Sequence, residues 1–465
     1  MKAPLEVARE IFAGTDAWIV GGAVRDHLLG RETVDLDLAV PGDPRRAARA
    51  VADQAGGAAF QLSGAFGAWR VVGPDGAWHV DLVTLRDDDI GADLAARDFT
   101  VNAMAEPLAG GEVLDPHGGR ADLAARRLRM VSAGALAADP LRTLRAVRIA
   151  VLLGLEIEPA TAAAIRREAP GLRVVAAERV FAELKQVVSA PGVRQGLEQM
   201  EEYGLTQLVL PELTALRGVE QNVFHHLDVH DHTLEVLDQV VAIERDPAAA
   251  GFGAHAEAVA ALLAEPLADD LTRGQAMRFA ALLHDAAKPQ TRMPRPDGRG
   301  TGFPGHDRQG AELARGVLRR LRASEKLVDH VAALCLHHLR VGFLVHERPL
   351  DRRAVWRYLR ATEPRSADVT VFTVADRLAT RGRNAGPAIE AHLELSRELL
   401  GPALERRAAG RTPPLVRGDE LARELSLPPG PKLGELLAQL EEDRYAGAIS
   451  TREDAIRRAR ELAGG

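Results

Sequence analysis

The sequence predicts an α+β protein: a small mixed α/β head followed by helices to the end of the chain. Three observations carry this. Residues 1–135 alternate strand-like and helix-like patterns. From about Leu136 the apolar period becomes that of helices, broken at Gly154, Pro170, Pro191 and Gly204. A histidine-rich helical region then runs from about Asn222 to Arg381, and a polar helical tail follows Pro402.

In the head, Ala17 to Val20 reads as a short strand ending at Gly21-Gly22, and Ala23 to Leu29 as a brief helix. Val34 to Val40 alternates Asp with apolar residues, the period-two signature of a strand. Pro44 to Ala55 reads as a helix with Pro in its first turn. Trp69 to Val72 and Trp78 to Leu85 are strands joined by the turn Gly73-Pro74-Asp75-Gly76. Helices are expected at Pro140 to Leu153, Pro159 to Ala169, Ala176 to Ser189 and Gly192 to Tyr203. An alanine-rich stretch near 247–264 and a Pro/Gly/Arg loop near 289–305 interrupt the histidine region.

The 465 residues are enough for about three domains at roughly 150 residues each. No apolar run reaches the ~18 residues of a membrane span, so no membrane partner is expected. MKAPLEVARE lacks a signal peptide's apolar segment, and the one cysteine, Cys335, can form no internal disulfide. These features lead us to expect a cytoplasmic enzyme. A net charge of −7 excludes a uniformly basic coat but leaves room for a local basic groove.

The segment GGAVRDHLLGRETVDLDLAV holds the strongest chemical signal. Asp35 and Asp37 are two apart on a strand, so both side chains leave one face. Such a pair can share Mg²⁺, which takes oxygen ligands and substrate phosphates. Two metals ~3.5–4 Å apart can activate a hydroxyl and hold leaving pyrophosphate. Gly21 and Gly22 let backbone N–H groups approach a triphosphate, and Arg25 adds charge one turn later. Asp81, in WHVDLVTLR, is the candidate third carboxylate. Taken singly, an Asp-x-Asp is a solvated strand face and a Gly-Gly a turn. In this order they point to nucleotide transfer.

With those residues in view, the segment resembles the signature of the nucleotidyltransferase superfamily, and specifically bacterial tRNA CCA-adding enzymes and poly(A) polymerases. ARDFTVNAMA (96–105) resembles that family's second motif, which implies that Arg97, Asp98 and Asn102 handle triphosphate and ribose. LDPHGGRADLAARRLRMV (114–131) resembles the hinge segment, and AERVFAELKQVV (177–188) a helical motif of the neck. DPLRTLRAVRIAVLLGLEI (139–157) resembles the base-reading helix, on which Asp139, Arg142, Arg145 and Arg148 recur at three-residue steps of one face. By resemblance Asp139 and Arg142 read the base, while Arg145 and Arg148 meet phosphate or support the fold.

Two departures stand out. The family's Glu before this Asp is Ala138 here. Between Arg86 and Arg97 lie only residues 87–96, where CCA-adding members carry a longer loop that resembles a lever switching the pocket from CTP to ATP. The short segment implies CC addition, with a separate A-adding enzyme completing the end.

HHLDVHDHTLEVL (225–237), FAALLHDAAKP (279–289), GFPGHDRQGAELA (302–314), LCLHHLRV (334–341) and VADRLAT (374–380) resemble in order an HD domain, a helical metal-dependent phosphohydrolase fold. The implied ligands are His232, His284, Asp285 and Asp376, with His306, and His337 or His338, extending the set to a second metal. Imidazole with carboxylate suits Mn²⁺, Fe²⁺ or Ni²⁺. His225, His226, His230 and His338 also read as ordinary core or surface histidines. LVRGDELARELSLPPGPKLGELLAQLEE (415–442) resembles the family's RNA-contacting tail.

The implied domains are a nucleotidyltransferase head at 1–135, a helical base-reading neck at 136–215, an HD domain at 216–385 and an RNA-binding tail at 386–465. The implied partners are the tRNA 3′ end, CTP and ATP. Two rivals are a poly(A) polymerase and an HD phosphohydrolase whose head only grips RNA. A third, non-enzymatic reading is a tRNA-binding chaperone.

Overall fold

In the computed structural model, which describes residues 4–31, 35–63, 67–221, 225–295, 300–383, 385–410 and 413–464, the Asp-x-Asp segment is a central strand. Six strands build the head sheet: β1 Trp18–Val20, β2 Asp35–Val40, β3 Ala58–Ser63, β4 Ala68–Val72, β5 His79–Thr84 and β6 Ala105–Pro107. Their order is β3-β4-β5-β2-β1-β6, with β2 and β5 parallel and the other neighbours antiparallel. Val34, which the sequence places at the start of β2, lies outside the described residues.

Parity along β2 explains its two faces. Leu38 and Val40 join Val51, Val71, Val80 and Leu82 in the main head core, covered by helix Pro44–Ala55. Asp35, Asp37 and Ala39 face the other way, where Ala39 meets Val20, Leu94 and Ala103. Helix Pro44–Ala55 starts where expected because Asp43 caps it, accepting from Arg45 N at 2.9 Å, and stops at left-handed Gly56.

Strands β3 and β6 were not anticipated. Ala-Ala-Phe-Gln-Leu-Ser shows little alternation, and Ala-Glu-Pro is too short to carry a period. Both are edge strands whose pairing comes from the partner strand.

The chain divides into two units, Met1–Val209 and Leu210–Gly465. In the first, helix Leu141–Leu153 packs on Ala177–Ser189 and Val193–Glu202, close to the expected bounds. In the second, helices Val229–Arg245, Arg273–Leu283, His306–Arg320, Glu325–His337 and Ser366–Ala379 pack about a buried histidine cluster. The apolar stretch beginning at Glu325 is broken at His338, into helices Glu325–His337 and Arg340–Leu344. Helices Gly418–Glu424, Pro431–Ala446 and Arg452–Gly464 form a tail with its own core around Leu421, Leu436, Leu440 and Ile456.

Candidate functional site

In the first unit, the β2–β5 register sets Asp37 directly opposite Asp81 and Asp35 opposite His79. The three carboxylates have different surroundings. Asp35 is 69% exposed and pairs with His79 Nδ1 at 2.9 Å. Both oxygens of Asp81 accept from Arg70, Nε and Nη2 at 2.7 Å each. Asp37 has no hydrogen-bond or ion-pair partner among the described residues. Burial pushes its carboxyl above the ordinary value, and the charges of Asp81 and Asp35 add to that against Arg97 and Arg145. A half-buried carboxylate beside a second one, lacking a side-chain cation of its own, fits a Mg²⁺ ligand. Asp81, the candidate third carboxylate, is neutralised by the Arg70 fork on the neighbouring strand.

Gly21 turns the chain from β1 into helix Gly22–Leu28 at φ 69°, ψ −129°, a conformation that glycine alone adopts comfortably. A Cβ there would stand 2.8 Å from Arg97 Nη1 and 3.3 Å from Asp37 Oδ2. The absent side chain is therefore what brings backbone, carboxylate and guanidinium together.

A cavity of about 270 Å³ opens beside them, walled by Gly21, Gly22, Asp37, Arg97, Asp98, Asn102, Asp139, Leu141, Arg142, Arg145 and Arg179. Its floor is a polar chain. Arg25 donates to Asn102 Oδ1 at 2.6 Å, and Asn102 donates to Asp98 Oδ1 at 3.0 Å. Asp98 also accepts from Phe99 N and from Arg145 Nε, the latter at 2.5 Å. Burial alone would raise the Asp98 carboxyl, but Arg145, Asn102 and the Phe99 N–H outweigh it and hold the carboxyl below its ordinary value. Glu183 then takes Arg148 Nε at 2.5 Å and lies 3.7 Å from Arg145.

The network sorts the residues expected to bind nucleotide. Arg97 lines the cavity, held by Asp93 at 2.9 Å. Asp98 and Asn102 line it too, but their hydrogen bonds go mainly to the fold. Arg25 is engaged by Asp26 and Asn102. Arg148, expected to meet phosphate or to support the fold, is not among the walls and pairs with Glu183. Arg142 donates to the carbonyls of Arg97, Ala135 and Ala96 at 3.2, 2.9 and 2.9 Å. With Ala138 in place of the family's Glu, backbone oxygens orient this arginine.

Arg179 was missed by the sequence reading. It donates Nη2 to Asp139 Oδ2 at 2.7 Å and lines the cavity. Arg70 and Glu183 were missed as well. The signals existed: Arg179 and Glu183 lie one helical turn apart, and Arg70 sits directly opposite Asp81 once the register is known.

Among the described residues the second unit gathers three groups of three possible donors, Asp228, His230 and Asp231 near the start of helix Val229–Arg245 and two that adjoin each other: His232, His284 and Asp376, and Asp285, His306 and His338. Asp285 touches both. Its Oδ2 is 3.2 Å from His284 Nε2 and its Oδ1 is 3.4 Å from His306 Nε2. His284, His306 and His338 each direct Nδ1 at a backbone carbonyl, of Ala281, Phe303 and Cys335, at 2.9, 2.6 and 2.6 Å. A carbonyl only accepts, so Nδ1 carries the proton and Nε2 is the nitrogen that faces inward, the orientation of metal-bound histidines. His284 Nε2 and Asp285 Oδ1 are buried without a hydrogen-bond partner. Burial would raise the Asp285 carboxyl, but His284 and Lys288 hold it well below its ordinary range. Burial, with His284 and His306 nearby, pushes His338 down to about 4. Imidazole nitrogens set around a charged carboxylate fit one or two transition-metal ions.

His337, expected as an alternative ligand, turns away: its Nδ1 accepts from Arg340 Nε at 2.8 Å. His338, also read as an ordinary core residue, faces the cluster instead. Adjacent residues at a helix end point in directions about 100° apart, and packing against helix His306–Arg320 selects His338. Lys288, unforeseen, stands 2.6 Å from both Asp285 Oδ2 and Gln221 Oε1.

Comparison with known proteins agrees with this layout. Residues 17–129 match the family described as the poly A polymerase head domain. Residues 154–216 match a probable RNA- and SrmB-binding site of polymerase A, and residues 229–381 match the HD domain. An A-adding tRNA nucleotidyltransferase of Deinococcus radiodurans is 38% identical over 444 residues, 94% of this chain and 94% of that protein. A CC-adding tRNA nucleotidyltransferase of Thermus thermophilus is 35% identical over 95% of this chain and 92% of that one. The solved structure of a CCA-adding enzyme in apo form I shares the fold, with a TM-score of 0.60 at 18% identity, covering 100% of this chain and 93% of that one. With 38% and 35% identity to those two enzymes over nearly the whole length, the chain belongs to the tRNA nucleotidyltransferases, enzymes that transfer nucleotides to the tRNA 3′ end.

Proposed function

We propose that this chain transfers cytidylate from CTP to the 3′ end of tRNA and leaves the terminal A to a separate enzyme. The 3′ oxygen forms a bond to the α-phosphorus, the bond from that phosphorus to the β-phosphate oxygen breaks, and pyrophosphate leaves. Asp35 and Asp37 would hold Mg²⁺, which when bound neutralises triphosphate charge. Gly21 and Gly22 admit the phosphates, Arg97 steadies them, and Asp139 accepts from the base amino group. Both Asp81 oxygens are taken by Arg70, so the hydroxyl proton passes to solvent rather than to Asp81.

One observation carries the C-only product. The segment before Arg97 is folded: a 3₁₀ turn Arg86–Asp88 runs into helix Ile90–Ala95, whose cap Asp89 accepts from Gly91 N and Ala92 N at 3.0 and 3.2 Å. Arg142 then holds the carbonyls of Ala96 and Arg97. A wall tied down this way favours one nucleotide and does not reset between pyrimidine and purine. The CC-adding and A-adding names of the long-range relatives support a partial product. The Deinococcus relative's name supports a second reading, A addition alone.

We also propose that the second unit is a metal-dependent phosphohydrolase acting on RNA ends or nucleotides, with Mn²⁺, Fe²⁺ or Ni²⁺ between His232, His284, Asp285, His306, His338 and Asp376. A metal held there would supply Lewis-acid activation of water for hydrolysis at neutral pH. Asp285 orders the imidazoles from both sides.

The test uses three tRNAs, ending at the discriminator base, at C and at CC, each with CTP, ATP or both. Two cytidines and no A are expected. A single A on the CC-ended tRNA only would move the assignment to the second reading, complete CCA would defeat the tied-down wall, and open-ended A tails would make it a poly(A) polymerase. In parallel, His284→Ala should remove hydrolysis and spare addition, while Asp37→Ala does the reverse.

A further inference from the structure

The histidine cluster of the second unit borders a cavity of about 830 Å³, a volume in the range of small-molecule pockets. Its walls include Asp285, His306, His338 and Asp376, and also Met293 and Phe343. The last two break the usual pattern of burial: Phe343 is 64% exposed and Met293 50%. One exposed apolar side chain means little, but two on the wall of one cavity make a patch that a ligand would cover. The backbone leaves room there. Phe343 follows Gly342 in helix Arg340–Leu344, and a Cβ on that glycine would find nothing within 4 Å. Met293 pairs across a two-stranded ladder with Gly302, another wall residue. An aromatic face stacks on any nucleobase, and a polarisable thioether packs well on an aromatic ring.

A further wall residue lacks a partner. His392, on helix Ala385–Ala409, is buried and lines the same cavity. Burial pushes its imidazole down to about 4, so the ring is neutral and only one nitrogen carries a proton. The Thr373 hydroxyl fixes which one. It donates its single hydrogen to the Thr370 carbonyl at 2.9 Å and lies 3.2 Å from His392 Nε2. Toward the ring it can only accept, so Nε2 is protonated and Nδ1 is left as an acceptor. That nitrogen is buried with no hydrogen-bond partner. A buried acceptor without a donor is unfavourable until a donor meets it. A sugar hydroxyl is such a donor, and an ionised phosphate oxygen is not.

We infer that Phe343, Met293 and His392 are the specificity-determining residues of this cavity: Phe343 and Met293 hold a nucleobase, and His392 Nδ1 accepts from a ribose hydroxyl of the same phosphorylated nucleoside. Free ribonucleotides and RNA ends both present that group. A sugar phosphate without a base leaves the apolar patch uncovered, and a deoxyribonucleotide lacking the hydroxyl leaves Nδ1 unpaired. The inference rests on the phosphohydrolase reading of the second unit and adds which parts of the substrate that unit grips.

The experiment compares the parent, Phe343→Ala and His392→Ala in the full chain with Mn²⁺. Four probes are hydrolysed: adenosine 3′-phosphate, its 2′-deoxy analogue, glycerol 2-phosphate, which has hydroxyls but no base, and a short RNA ending in a 3′-phosphate. Phe343→Ala should raise KM for adenosine 3′-phosphate by about five- to a hundredfold, the worth of one stacked base, and leave glycerol 2-phosphate unchanged. His392→Ala should lower kcat/KM for adenosine 3′-phosphate by about two- to tenfold, the worth of one hydrogen bond, and leave the deoxy probe unchanged. Both variants should keep the rise in melting temperature that Mn²⁺ gives, since neither residue is among the proposed ligands. Equal losses on every probe would mean a merely structural role and overturn the inference. The RNA set against the mononucleotide tells a chain end from a free nucleotide, and the better of the two should carry the Phe343 effect. Calorimetric binding of adenosine 3′-phosphate to the parent and to Phe343→Ala reads the base grip without turnover, and equal affinities would overturn it. Weaker binding in Phe343→Ala with no hydrolysis of any probe would sink the phosphohydrolase reading and leave this one standing.

Discussion

Asp37 and Asp81 face each other across a parallel strand pair, yet one is left to burial and the other is neutralised by an arginine. Asp37→Asn should lower nucleotide addition on the order of 10²–10³-fold, the usual cost of removing a charge-stabilising group. Asp81→Asn should cost less, because Arg70 already occupies that carboxylate; equal losses in a rate assay would show that Arg70 lets go during turnover. The stability effect of Asp37→Asn runs the other way. Burial raises this carboxyl above 3.8, so the unfolded chain gives up its proton first as pH rises. Stability is then lost between the ordinary and the raised value, and above both the charge is a standing cost. The metal-free Asn variant should therefore melt higher than the parent at pH 7, and the gain should vanish below about pH 4. A variant that melts lower at pH 7 would refute that sign.

The turn between β1 and the helix after it, and the joint between head and neck, each depend on one detail. Gly21 has φ 69° and no room for a Cβ beside Arg97, whereas a Cβ on Gly22 would be 3.4 Å from the movable end of Arg25. Gly21→Ala should cost about 1–3 kcal/mol and most of the activity, and Gly22→Ala clearly less. Denaturant melts with a rate assay distinguish them. Asp98 joins the head to helix Leu141–Leu153 through Arg145. Asp98→Ala should destabilise by about 1.5–3 kcal/mol, the range for a hydrogen bond to a charged group, since Arg145 remains partly solvated. The sign with pH follows from its depressed carboxyl: the contribution is present above the ordinary value and fades as pH falls through the lowered one. Parent and variant should therefore converge in strong acid.

Two sets of proposed metal ligands sit in separate units, one of carboxylates and one of imidazole with carboxylate. Adding Mn²⁺ at about 100 times its dissociation constant should stabilise the second unit by about 2.7 kcal/mol. Asp285→Asn and His338→Ala should abolish that rise in melting temperature, and His337→Ala should keep it. An unchanged response in His338→Ala would mean that the buried cluster does not hold the metal. Asp37→Ala should leave the Mn²⁺ effect intact, because its carboxylate lies in the other unit.

The sequence by itself determined the fold class, most of the helices and the inner strands β2 and β5, and the chemistry-bearing types, while the edge strands β3 and β6 waited on their partners. Period-two Asp in β2, proline and glycine at helix ends, and ordered His and Asp motifs act over a few residues, and so are legible in a row of letters. The tertiary structure decided which of those side chains remain available. Arg142, Arg145 and Arg148 share one helical face in sequence, but carbonyls of residues 96, 97 and 135, Asp98 and Glu183 take them up from distant segments. Arg70 reaches Asp81 only through strand register, and Arg179 reaches Asp139 only because two helices pack. The choice of His338 over His337 is likewise a matter of helix phase. Availability is a sum over neighbours in space, and those neighbours are chosen when strands pair and helices settle on one another.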